Sequence, residues 1–245
     1  MISTGVNIVE IFSSIQGEGL YIGCRQIFIR FAGCNLSCKY CDTVHKATAS
    51  FKVHFDDGTV LEEPNPIKID RLIEIILKFN LNAHHSISLT GGEPLLHSGF
   101  LENFLCQLKK LFSIKIFLET NGVLHSNLRQ VIDYIDIVSM DIKIPSTYGS
   151  EPLWESHAAF IELCLANNKE LYTKIVVSNL TTFEELELVA EKLNYKHIPL
   201  IIQPISTINQ AELISGKKLL AIQAELLKYF DVRVIPQTHK FLKLQ

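Results

Sequence analysis

Cys34, Cys38 and Cys41 stand within eight residues of one another in a C-x3-C-x2-C spacing. Thiolates this close repel one another and favour a soft cation between them. Zinc would need a fourth ligand to close its tetrahedron, and Asp42 and His45, which follow at once, are too tightly placed to supply an obvious one. A 4Fe–4S cluster on three cysteines leaves one iron open, which makes it a place for chemistry rather than electron storage. The other cysteines, Cys24, Cys106 and Cys164, are scattered. Cys106 and Cys164 lie among apolar helical neighbours, and all three read as small packing residues.

Further polar segments sit where apolar runs end. Ser86–Thr90 runs into Gly91-Gly92-Glu93-Pro94, Ile116–Glu119 into Thr120-Asn121-Gly122, Ile137–Ser139 into Met140-Asp141-Ile142-Lys143, and Ile201–Gln203 into Pro204-Ile205-Ser206. In barrels and open parallel sheets this carboxyl edge is where ligands bind.

The elements that must carry these segments alternate. β-Branched apolar runs are predicted as strands at Ile8–Phe12, Gln26–Phe31, Ser86–Thr90, Ile114–Thr120, Asp136–Asp141, Tyr172–Ser178, Ile198–Gln203 and Val232–Ile235. Helical periodicity fills Asp70–Phe79, Phe100–Phe112, Ser126–Tyr134, Leu153–Asn167, Thr182–Leu193 and Asn209–Tyr229, with Asp70, Ser98, Ser126, Thr182 and Asn209 as capping candidates. This rhythm predicts an α/β protein of mostly parallel strands, either an open sheet or a barrel. Val44–Pro66 breaks it. Alternation around Asp56-Asp57-Gly58 reads as a β-hairpin, either a cover for the cysteine site or a surface decoration. His84 and His85, just before a strand, read as surface residues.

The chain has 245 residues, 47% hydrophobic and 20% charged, with a formal charge of −3. That excludes disordered and low-complexity classes, and it gives a core large enough to need no disulfide staples. No long uncharged apolar run predicts a membrane span, and the start does not read as a signal peptide. The slightly acidic balance argues against a nucleic-acid surface. Free thiols fit a reducing cytoplasm.

The cysteine spacing, with Tyr40 just before the last cysteine, and the later Gly91-Gly92-Glu93-Pro94 resemble the radical S-adenosylmethionine superfamily. The flanks narrow the resemblance. Glu10-Ile-Phe-Ser-Ser-Ile15-Gln16-Gly17-Glu18-Gly19, Arg30-Phe-Ala-Gly-Cys34, Asp42-Thr43 and Pro236-Gln237-Thr238-His239-Lys240 together are similar to the 7-carboxy-7-deazaguanine synthases. The resemblance implies a compact, partial or modified (β/α) barrel over residues 1–245, with 44–66 as an inserted hairpin, and a homodimer. It implies that the open iron chelates S-adenosylmethionine and that an electron cleaves its carbon–sulfur bond to a 5′-deoxyadenosyl radical. The substrate would be 6-carboxy-5,6,7,8-tetrahydropterin. Hydrogen abstraction at C6, ring contraction and loss of ammonia would follow, with Mg2+ assisting, to a precursor of queuosine or archaeosine. A flavodoxin-type donor would supply the electron.

Carried over by position, the resemblance places Ile15, Gln16 and Gly17 on the pterin, Glu18 close by, and Thr90 facing the substrate. Arg30 would hold the substrate carboxylate, the alternative being an internal salt bridge. Thr43 would ligate Mg2+, the alternative being a turn cap. Tyr40, Cys41, Asp42 and Gly92 would lie against S-adenosylmethionine, as would Asp141, Ile142 and Lys143 and the Gln203-Pro204-Ile205-Ser206 segment. Many relatives carry Ser-Pro-Lys where this chain has Asp141-Ile142-Lys143. Glu119 would reach the adenosine ribose or cap the next turn, and His239 lies near the site or at the surface. Two other classes compete: a radical activase that installs a glycyl radical on a partner enzyme, and a non-enzymatic zinc module.

Overall fold

The computed structural model describes residues 5–41, 43, 45–195, 197–206 and 211–244. In chain order the strands are β1 (Gly5–Val6), β2 (Ile8–Ile15), β3 (Arg25–Phe31), β4 (Ser50–His54), β5 (Val60–Pro64), β6 (Ile67–Lys68), β7 (Ser86–Gly91), β8 (Lys115–Thr120), β9 (Ile137–Ile142), β10 (Glu170–Val177), β11 (Leu200–Pro204) and β12 (Val232–Val234). The helices are α1 (Ile69–Ile76), α2 (Ser98–Leu111), α3 (His125–Val131), α4 (Pro145–Tyr148), α5 (Trp154–Ala166), α6 (Phe183–Leu193), α7 (Gly216–Leu226) and α8 (Thr238–Leu242). Ten strands form one sheet in the order β12-β11-β10-β9-β8-β7-β3-β2-β4-β5. From β3 through β12 every pairing is parallel. β2 runs antiparallel to β3, and β1 pairs with β6 apart from the sheet. This is the α/β architecture expected, with a sheet that ends at two edges.

The predicted strands and longer helices appear, and most of their ends lie within about two residues of expectation. The caps differ. Thr182 does cap α6, its hydroxyl accepting from Glu185 N at 3.2 Å. Asp70 lies in the first turn of α1 behind Lys68, Ser98 opens α2 behind His97, and Ser126 lies inside α3 behind Leu124. Asn209 lies outside the described residues, and α7 begins instead at Gly216, capped by Ser215. The short β1, β6, α4 and α8 carry too few residues to show a period.

The Asp-Gly hairpin forms as β4 and β5, and β4 continues the sheet beside β2. It extends the sheet edge, and none of its strand residues joins the central cavity wall described below. His84 is buried, not superficial. Its Nε2 sits 2.8 Å from Ser13 Oγ and 3.4 Å from Asp56 Oδ1, which ties the hairpin turn to the sheet.

Strand side chains alternate between faces, and here the two faces have different work. Ile27 and Ile29, Ile87 and Leu89, Ile116 and Leu118, Val138 and Met140, Ile175 and Val177, and Leu200 and Ile202 join one buried core with the helices. The helices pack neighbour against neighbour over that face. On the other face Phe117, Ile137, Tyr172 and Ile201 gather with Leu20, Tyr21 and Ile235 into a small apolar floor. The cavity lies beyond that floor, toward the carboxyl ends of the strands.

Gly91 closes β7 at φ +123°, and a Cβ there would lie 2.3 Å from the Phe31 carbonyl oxygen. Gly99 is exposed in α2 with nothing near its Cβ position. Gly91→Ala is expected to cost more than about 2 kcal/mol, and Gly99→Ala to stabilise by about 0.5–1 kcal/mol. Chemical denaturation of the two variants checks the opposite signs.

Candidate active site

A cavity of about 420 Å3 opens at the carboxyl ends of the strands. Alternate residues of successive strands wall it: Glu10 and Phe12 of β2, Phe28 and Arg30 of β3, Thr90 of β7, Glu119 of β8, Ser139 and Asp141 of β9, Lys174 and Val176 of β10, and Gln203 of β11. Cys34, Cys38, Tyr40, Cys41 and Thr43 complete it from the loop after β3, and Gly92 from the turn after β7.

Register places the charges. Glu10 stands opposite Arg30 across β2 and β3, and Arg30 Nε meets Glu10 Oε1 at 2.8 Å. Asp141 stands opposite Lys174 across β9 and β10, with Nζ 3.2 Å from Oδ1. Directly opposed residues are the contact unit of a sheet, so each pair follows from the strand alignment. Lys143 Nζ donates to Asp141 Oδ2 and to Tyr40 OH, both at 2.8 Å. Lys174 Nζ donates to Glu18 Oε2 at 2.5 Å, and Gln237 Nε2 donates to Glu18 Oε1 at 2.7 Å.

These contacts set the protonation states. Burial disfavours ionised Asp141, but the two lysines outweigh it and bring its carboxyl down to about 2. Glu18 follows the same logic, burial raising it while Lys174 and then Gln237 hold it below its usual range. Burial alone would discharge Lys143 and Lys174, but the acidic groups beside them hold both well above the ordinary lysine value. The Cys34 and Cys38 thiols are pushed up by burial, with Lys143 pulling the other way.

A second polar group lies between β2, β7 and β8. Gln16 Nε2 donates to Glu119 Oε1 at 2.7 Å and to Gln26 Oε1 at 3.1 Å, and Thr90 Oγ1 donates to Glu119 Oε2 at 2.7 Å. Glu119 therefore ties Gln16 to Thr90 along this wall of the cavity. The terminal segment closes that side. Thr238 N donates to Gly17 O at 2.9 Å, and a Cβ on Gly17 would fall 2.3 Å from His239 Nδ1. His239 thus lines the cavity.

The Radical SAM superfamily model matches residues 28–193. A 7-carboxy-7-deazaguanine synthase of Geobacter sulfurreducens is 40% identical over 99% of both chains. One of Methanothermobacter thermautotrophicus is 37% identical over the whole of both. The chain belongs to the 7-carboxy-7-deazaguanine synthase family of radical SAM proteins. Among solved structures, QueE from Escherichia coli superposes with a TM-score of 0.59 over 95% of this chain and 94% of that one, at 21% identity. Streptococcus suis SuiB gives 0.54 over 83% of this chain and 47% of that one. Both show the shared fold.

Family membership implies a 4Fe–4S cluster and S-adenosylmethionine, and the residues present fit both. Three soft thiols share one wall, with Leu36 N directed at Cys34 Sγ at 3.5 Å. Gln203 Oε1 is buried with no hydrogen-bond partner among the described residues, an acceptor open to a ligand donor such as an adenine amine. The Gly92 backbone lies so close to the cysteine loop that a Cβ would sit 1.9 Å from Gly33 O.

Of the positions expected from sequence, Ile15, Gln16, Gly17, Glu18, Arg30, Cys34, Cys38, Tyr40, Cys41, Thr43, Thr90, Gly92, Asp141, Lys143, Gln203, Pro204, Ile205 and Ser206 all line this cavity. Asp42 lies outside the described residues. Ile142 points its side chain into the core, which leaves its backbone for any ligand. Lys174 was missed, and Gln237 was noted only within the terminal segment 236–240, with no site role. A lysine inside the apolar run Leu171–Val177 carries the same signal that singled out Arg30: a charge in a buried strand needs a partner.

Glu93 is buried away from the cavity. It accepts from Asn121 N at 2.8 Å, Leu95 N at 3.1 Å and Thr120 Oγ1 at 3.0 Å. Asn121 Nδ2 in turn donates to Asn35 of the cysteine loop at 2.8 Å. Burial outweighs these bonds and pushes the Glu93 carboxyl up to about 7. Between the ordinary glutamate value and about 7 the native state therefore holds more proton than the unfolded state. The stability this shift contributes is complete at the acid end and is lost as pH rises through that window. Glu93→Gln is expected to make the slope of unfolding free energy against pH more positive there. Denaturation of the two proteins across the window checks this, and an unchanged slope rejects it.

Proposed function

We propose that this protein converts 6-carboxy-5,6,7,8-tetrahydropterin into 7-carboxy-7-deazaguanine and ammonia. Full-length similarity to synthases so named supports this reading. The observation that carries it is one cavity walled both by the three-cysteine loop and by the Gln16-Gly17-Glu18 turn. Product plus ammonia equals substrate, so the conversion is redox-neutral and needs no consumed oxidant. The cluster and S-adenosylmethionine, when bound, supply the 5′-deoxyadenosyl radical that removes hydrogen from C6. The chain must hold the pterin, orient C6 and exclude water.

In this reading Cys34, Cys38 and Cys41 hold the cluster. Tyr40, Gly92, Asp141, Lys143 and Gln203 to Ser206 hold S-adenosylmethionine, with the Asp42 side chain and the Ile142 backbone in the same set. Ile15, Gln16, Gly17, Glu18 and Thr90 read the pterin edge, which presents donors and acceptors that an amide, a carboxylate and backbone groups match. Arg30 binds the substrate carboxylate. Its ion pair with Glu10 engages Nε, and the terminal guanidinium nitrogens carry no hydrogen bond among the described residues. Both expectations for Arg30, internal pair and carboxylate holder, are thereby compatible. Thr43 supplies a hydroxyl for Mg2+, a hard cation that shares substrate oxygens. A flavodoxin-type donor, a homodimer, a cytoplasmic setting and a single unit over 1–245 with 44–66 inserted belong to the same proposal.

Anaerobic incubation of cluster-loaded protein with the carboxypterin, S-adenosylmethionine, a reductant and Mg2+ is expected to yield 7-carboxy-7-deazaguanine; no product rejects the assignment. Thr43→Ala is expected to keep the cluster absorption and weaken Mg2+ stimulation, and unchanged stimulation removes Thr43 as a ligand. Arg30→Ala is expected to raise KM for the carboxypterin by about 30-fold or more, and an unchanged KM rejects its role.

A further inference from the structure

Lys174 belongs to none of the motifs that carry the family resemblance. It sits on the cavity face of β10 with only 6% of its side chain exposed. Its ammonium touches two carboxylates carried on different elements: Glu18, in the turn that on this reading faces the pterin, and Asp141, at the strand end that on this reading faces S-adenosylmethionine. Each carboxylate is held from its far side. Gln237 donates to Glu18, and Lys143 to Asp141 and on to Tyr40 in the cysteine loop. The terminal segment, the substrate turn, β10, β9 and the cysteine loop are thus joined through one cation. Without it, two carboxylates would face the same gap, and one would take up a proton or turn away.

We propose that Lys174 is a positioning residue that fixes the substrate turn and the terminal segment to the cofactor wall. This deepens the functional reading above and rests on it for the identity of the two ligands. Lys174 acts through Glu18 and Asp141, setting how the pterin-facing turn is presented.

The test compares wild type, Lys174→Met and Lys174→Arg, all cluster-loaded with the cluster kept oxidised so that no turnover occurs. Amide hydrogen exchange is followed by mass spectrometry in residues 12–20 and 232–244, with β7 and β8 as the internal control. Lys174→Met is expected to speed exchange in both segments by about tenfold or more while β7 and β8 stay as in wild type. Lys174→Arg, which keeps the charge, is expected to recover most of the protection. In turnover, KM for the carboxypterin should rise by about 30-fold in the Met variant, with kcat changed less than KM. A folded Met variant with wild-type exchange in both segments overturns the proposal. If that variant does not fold, the charge-balanced Glu18→Gln/Lys174→Met pair leaves no unpaired buried carboxylate, since Asp141 keeps Lys143. Faster exchange of 232–244 in the pair supports the proposal, and wild-type exchange overturns it. Wild-type protein that makes no deazaguanine would reject the functional reading, while the exchange data still decide the role of Lys174.

Discussion

Two lysine ammonium groups, on Lys143 and Lys174, lie out of water on the inner face of the sheet, and the site is arranged to keep them charged. A buried cation without a partner would lose its proton. Asp141 sits between the two, while Glu18 and Tyr40 take the remaining contacts. The set balances two positive charges against two carboxylates. Replacing one partner leaves the other uncompensated, so its members constrain one another far more than surface ion pairs do. The turn at Glu18, the cysteine loop at Tyr40 and the end of β9 therefore take mutually dependent positions.

The sheet makes such a set possible by separating its two tasks. Its helix-facing residues are almost wholly aliphatic and hold the molecule together. Its cavity-facing residues are apolar at the floor and ionic nearer the carboxyl edge. A parallel sheet buried on both faces would read as uniformly apolar. Here the exceptions within each run, such as Arg30, Glu119, Asp141 and Lys174, are the residues that face the cavity.

That division explains what the sequence disclosed. Strands, long helices and the Asp-Gly hairpin were legible because period and turn chemistry are local. The cysteine loop was legible because its three ligands are adjacent in the chain. Caps were less legible: Asp70, Ser98 and Ser126 are good capping residues, yet the cap positions fall one or two residues before them. His84 read as surface from its place just before a strand, but the hairpin turn at Asp56 reaches it and it is buried. Lys174 and the role of Gln237 escaped because their meaning lies in partners on other elements, and no local pattern names a partner.

The hydrogen bond from Gln237 to Glu18 spans 219 positions, and that from Thr238 to Gly17 spans 221. Contacts this distant in sequence bind an early turn of the chain to a late segment on one wall of the cavity. A change anywhere in residues 237–239 therefore reaches the Gly17–Glu18 turn directly, although more than two hundred residues separate them in the chain.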